Sequence, residues 1–143
     1  LARVCLHLRT KTLLAALRDA RTAAAGQPLR AVVDAVIGSQ LATHTGAAQE
    51  WSAHYMLERH FSSAEAYRSM YERFVGEWAQ AFDAACDLPA AFPAREAARV
   101  TQTILYGLCA HTYIRTPERT DVPALERQAR LAIHSYLEAL LPA

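Results

Sequence analysis

Glu50, His54 and Glu58 stand at i, i+4 and i+8, one face of a helix that the sequence pattern runs from Ala47 to Arg59, with His60 just beyond its end. Carboxylates and imidazoles stacked in this way could bind a metal ion. They could equally form a solvated face knitted by i,i+4 pairs, and that is the leading reading. Neither the Glu-x-x-His pattern of di-iron bundles nor HExxH occurs in the 143 residues. A small all-α metal-binding bundle or enzyme using Glu50, His54, Glu58 and His60 therefore stands as the alternative.

Nucleophilic chemistry has less to build on. There is no GxSxG elbow and no glycine-rich phosphate loop among the 5 glycines. The cysteines Cys5, Cys86 and Cys109 lie far apart, without CxxC or finger spacing, and read as reduced, buried thiols of a cytoplasmic protein. Cys109 and His111 are too close along one helix to share a face. No enzyme, cofactor or metal is expected from these residues.

A different chemistry is offered by rings at helical spacing. Tyr67, Met70, Tyr71, Phe74, Trp78 and Phe82 recur at three and four residues behind Ser62, which with Glu65 reads as an S-x-x-E capping box. Such a stripe is ordinarily core. Interleaved with hydroxyls and close to His54, it also describes the wall of an apolar ligand pocket between helices. The candidate ligand-binding residues are Trp51, His54, Tyr55, Phe61, Tyr67, Met70, Tyr71, Phe74 and Trp78, joined from the next helix by Tyr106, Cys109 and Tyr113.

Six helices must position these side chains. The first is capped by Thr10, carries Leu13, Leu14, Leu17, Ala20 and Ala24 inward and stops at Gly26. The second starts at Pro28, buries Leu29, Val32, Val33, Val36, Ile37 and Gln40, and breaks at Thr43 to Gly46. Helices over 47–59, 62–85 and 93–114 follow, the last with Val100, Ile104, Leu105 and Leu108 on its stripe. Asp121 or Val122 caps a sixth, with Pro123 in its first turn. No segment alternates as a strand does, so the fold class is all-α.

Composition bounds the rest. A chain of this length buries roughly 70% of its unfolded surface as one domain. Its 15 basic and 14 acidic residues are interspersed, with a net charge of +1, so no basic face announces itself across the body. The longest apolar run, Ile104 to Ala110, falls far short of the ~20 residues that cross a bilayer. Residues 1–12 carry charges where the apolar part of a secretory signal would sit, so no membrane partner is expected. The last two helices carry small residues, Ala97, Ala98, Gly107, Ala110, Ala129 and Ala132, that permit close approach to a second copy.

The stretch Val4 to Leu14, VCLHLRTKTLL, resembles the junction of TetR-family transcriptional regulators, where the recognition helix ends in a pattern like LYYHFxSKEAL and the next helix begins. His7 falls on the family's histidine, Leu8 on its phenylalanine, Thr10 on the capping Ser/Thr, Lys11 on the lysine and Leu14 on the leucine. Cys5-Leu6 replaces two aromatics, and Thr12 a common glutamate. The motif covers about eleven residues, and the order of the later helices fits the family's C-terminal plan.

The resemblance implies a TetR-like C-terminal bundle of about six helices. Residues 1–9 would end a helix-turn-helix domain lying mostly upstream, and 10–143 would be the effector-binding and dimerisation domain. It implies a ligand-responsive DNA-binding regulator, a repressor released from its double-stranded operator by a small, largely apolar or aromatic effector. His7 and Lys11 would touch DNA phosphates, which position a protein without specifying sequence. The last two helices would form a four-helix homodimer interface through Val100, Ile104, Gly107, Leu108, His111, Ala129, Ile133, Tyr136 and Leu137.

Overall fold

The computed structural model describes residues 1–143, apart from the side chain of Ala2. It holds six helices: α1 Ala2–Ala23, α2 Leu29–His44, α3 Ala48–Phe61, α4 Ala64–Asp83, α5 Ala94–Arg115 and α6 Val122–Ala139. Among the described residues there is no strand, as the sequence pattern requires, and no helix is long and apolar enough to cross a membrane.

α1 packs on α2, α3 and α4, while α5 packs on α3, α4 and α6, so α1 and α5 flank the interior. The shared core comprises Leu17, Val33, Val36, Ile37, Leu41, Trp78, Phe82, Tyr113, Ile133 and Leu137, all fully buried. Each belongs to an i, i+3/i+4 stripe, and burial of side chains this size contributes about 1.5–3 kcal/mol apiece before conformational entropy is set against it.

Three polar contacts pin the α1–α2 turn to the end of α4. Gly26, at φ 84°, donates its N–H to Ala84 O at 2.8 Å. Cys86 N–H reaches Gln27 O at 3.0 Å, and Asp87 accepts from Leu29 N at 2.8 Å. Asp87 thus supplies the cap that Pro28 cannot give to α2. Higher up, buried Glu77 of α4 receives Arg18 at 2.9 Å and Arg21 beside it. Burial works against the Glu77 charge, but the two guanidiniums outweigh it and hold its carboxyl below the usual range.

Several expectations change. Thr10 does not cap a helix: α1 runs through it without a break, and its buried hydroxyl donates to Leu6 O at 2.7 Å, one turn back. A threonine hydroxyl satisfies either geometry, and the burial of Leu6 against the core favours the continuous helix. The α4 cap is Ser63, accepting from Ala66 N at 3.1 Å, one residue later than expected. Asp121 caps α6 as expected, through Ala124 N at 3.0 Å. Cys109 is buried, but Cys5 and Cys86 are exposed, the first on the outer face of α1 and the second in the α4–α5 loop.

The face expected to meet a second copy is divided. Val100, Ile104, Gly107, Leu108 and Tyr136 are half-buried and His111 is exposed, whereas Ala129, Ile133 and Leu137 are fully buried within this chain. α6 turns those three toward α2 and α5, where no partner can reach them.

Candidate functional site

A cavity of about 350 Å³ opens between α1, α3, α4 and α5, and α2 closes its inner end with Gln40 and His44. α1 supplies Leu6, Thr10 and Leu13 to its wall, with Arg3 and His7 at the mouth; α4 supplies Met70, Tyr71 and Phe74. α5 lines the opposite side with Gln102, Leu105, Tyr106 and Cys109. Phe61 and Tyr67 also frame the mouth, which explains why two large rings stay exposed on an otherwise well-packed chain.

Nine of the twelve candidate ligand residues line this space: His54, Tyr55, Phe61, Tyr67, Met70, Tyr71, Phe74, Tyr106 and Cys109. Trp51, Trp78 and Tyr113 do not. Trp78 is sealed in the core and donates Nε1–H to Gln102 at 3.0 Å. Tyr113 is buried against the His44 ring, centroids 5.1 Å apart, and its hydroxyl has no partner among the described residues. Burial pushes that phenol up to about 12. Trp51 lies beneath the Arg9 guanidinium, 5.4 Å from its ring centre, while Arg9 also reaches Glu50 at 2.7 Å, so one arginine clamps α1 to α3.

His44, at the inner end, organises the polar part of the wall. Its Nδ1 lies 2.7 Å from Gln40 O, an atom that can only accept, so Nδ1 carries the proton. Nε2 therefore accepts from the Tyr55 hydroxyl at 2.8 Å. Burial lowers the His44 pKa to about 4, although the Gln40 carbonyl favours the charged form. His54 is lowered to about 4 as well, by burial first and then by the charges of Arg9 and His44. Both imidazoles are neutral at physiological pH.

Glu58 faces the same space. It receives the hydroxyl of Tyr106 on one oxygen, and its other lies 3.6 Å from His54 Nε2. Burial raises its pKa, against the Tyr106 hydrogen bond that favours the charge. The Tyr106 phenol is raised far above its ordinary value by burial and by Glu58, and Cys109 is pushed up to about 12 by burial alone. Cys109 is thus an apolar wall atom rather than a nucleophile.

The four residues of the metal alternative do not converge: Glu50 is held by Arg9, His60 is exposed, and only His54 and Glu58 share the cavity. Among the described residues no group of three or more His, Cys, Asp and Glu side chains could hold a metal ion. His7 and Lys11 are exposed, His7 on the side of α1 that borders the mouth.

Sequence reasoning missed His44, Gln40 and Gln102 as wall residues. His44 continues the stripe of Val33, Val36, Ile37 and Gln40 by one more turn, and that periodicity was the available signal. What fold and site define is a six-helix domain around a small-molecule-sized, mostly apolar cavity with a few convergent polar groups, the common form of a ligand site. Comparison with family models, curated proteins and solved structures gives no match to this chain.

Proposed function

We propose that this chain is the effector-binding domain of a TetR-like, DNA-binding transcriptional regulator, released from its operator when a small, largely apolar molecule fills the cavity. The observation that carries the reading is the double role of α1. The helix that bears the TetR-like stretch Val4 to Leu14 also forms a wall of the cavity through Leu6, Thr10 and Leu13. A ligand that favours one position of this wall, where DNA contact by His7 and Lys11 favours another, opposes DNA binding and is opposed by DNA to the same extent, because coupling between two sites is reciprocal. Affinity alone would shift nothing. A homodimer would use the exposed part of the α5–α6 face, Val100, Ile104, Gly107, Leu108, His111 and Tyr136.

The test uses the full-length gene product and a labelled DNA fragment from its own promoter region. A compound bound in the cavity should weaken DNA binding by about tenfold or more, a coupling within the usual range. Ala66→Trp, which fills the mouth, should keep DNA binding and lose the response. A protein that binds no DNA, or binds it equally well with the cavity occupied, would sink the reading.

A further inference from the structure

The polar groups around the cavity differ in what they have left to offer a ligand. His44 is saturated by Gln40 and Tyr55. Gln40 gives one amide N–H to Leu13 O at 2.8 Å and keeps the other together with Oε1, while Gln102 spends Oε1 on Trp78 and keeps its amide N–H groups. Thr10 has given its proton to Leu6 O. Glu58 is the single carboxylate of the wall; Oε1 accepts from Tyr106, and Oε2 has only His54 near it, at 3.6 Å, beyond hydrogen-bond reach. The wall therefore keeps both neutral donors and neutral acceptors for a ligand, and a single carboxylate acceptor, Glu58 Oε2.

No fixed cation inside answers that carboxylate. Arg3 is the only arginine or lysine among the lining residues, and it is exposed at the mouth. Arg9 is engaged by Glu50 and Trp51, Arg59 is exposed, and buried His54 is neutral. The His54 Nδ1 has no partner at all among the described residues. Around Glu58 stand the rings of Tyr55, Tyr67 and Tyr106, meeting edge to face at 5.7 and 6.1 Å between centroids. Aromatic rings lining the same space as a carboxylate favour a positive charge in two ways, through their quadrupoles where the cation meets a ring face and through a charge-assisted hydrogen bond.

We propose that the cavity takes an amphipathic organic cation, an apolar body carrying a protonated amine, with the ammonium N–H donated to Glu58 Oε2 and its charge set against Tyr55, Tyr67 and Tyr106. The apolar body lies against Leu6, Leu13, Met70, Phe74 and Leu105. This inference rests on the cavity being an effector site and names the chemistry of what fills it.

Three probes with one skeleton decide it by calorimetry: phenylbutylamine, phenylbutanol and phenylbutyrate. The amine should bind at least about tenfold more tightly than the alcohol, the gain expected of a hydrogen bond to a charged group, and the acid should bind least. In Glu58→Gln the amine should fall to the level of the alcohol, while unchanged alcohol binding shows that the cavity has kept its shape. An alcohol or acid that matches the amine, or a preference for the amine that survives Glu58→Gln, overturns the cation assignment and leaves the effector cavity standing. Failure of all three probes to bind overturns both.

Discussion

The Tyr55 hydroxyl donates to His44 Nε2 at 2.8 Å between α3 and α2, completing at the inner end of the cavity the tautomer that the Gln40 carbonyl sets on Nδ1. Tyr55→Phe leaves that buried nitrogen without a donor. The expected cost is about 1–3 kcal/mol, the desolvation penalty of an unpaired buried group. Urea unfolding of the two proteins at neutral pH measures it, and an unchanged midpoint would mean that this hydrogen bond contributes nothing to the fold.

Stability should fall on mild acidification. His44 and His54 both titrate near 4 in the fold, against 6.5 when unfolded, so between those values the unfolded chain binds more protons. Their contribution is complete above about 6.5 and is lost progressively as pH falls toward 4. Each histidine gives at most about 1.4 kcal/mol per pH unit in that window. Glu58, raised by burial, works in the opposite sense from its unfolded value near 4.5 up to its folded one, since over that range its folded carboxyl holds a proton that the unfolded one has released. Unfolding curves at successive pH values should show the net loss, shallower in His44→Gln.

Glu77 acts over a more acidic range. With its folded pKa below the unfolded one, its contribution is present above the unfolded value near 4.5 and disappears as pH falls through the folded value. Glu77→Gln should cost about 1–2 kcal/mol at neutral pH, discounted because Arg18 remains largely in water. The difference between variant and parent should shrink in strongly acidic buffer. A gap independent of pH would mean that packing, not charge, joins α1 to α4 here.

Thiol reactivity gives an independent check on burial. Cys5 and Cys86 should label promptly in the native protein, and Cys109 only on unfolding. A thiol raised to about 12 from 9 carries about a thousandth of the thiolate at neutral pH. Mass spectrometry after brief alkylation should find two adducts; a third would place Cys109 in contact with solvent.

The six helices were legible because apolar residues recur at three and four along each of them, and Pro28, Pro93 and Pro123 mark where helices begin. Side-chain roles were less legible. Trp78 and Phe74 sit on one stripe four residues apart, yet one is core and the other cavity wall, because the cavity ends between them and no local pattern encodes that. Thr10 was ambiguous for a related reason: its hydroxyl can serve an N–H ahead of it or a carbonyl behind it, and Leu6, finding a buried place, decides. The missed His44 belongs to the reverse case, a polar residue continuing an apolar stripe because its two hydrogen bonds make burial tolerable.

The fastening of the α1–α2 turn has a mechanical consequence. Gly26, Gln27 and Leu29 are tied to Ala84, Cys86 and Asp87, while Arg18 and Arg21 hold Glu77, so the last turns of α1 are moored to α4. The opposite end, some 20 residues away and about 30 Å distant along the helix, is held to α3 by the Arg9 clamp and faces the cavity through Leu6, Thr10 and Leu13. A tilt of a few degrees about the moored end is a shift of ångströms at His7. Under the proposed reading α1 would serve as a lever arm, with the cavity bearing on the part of the helix that lies beyond its moorings to α4.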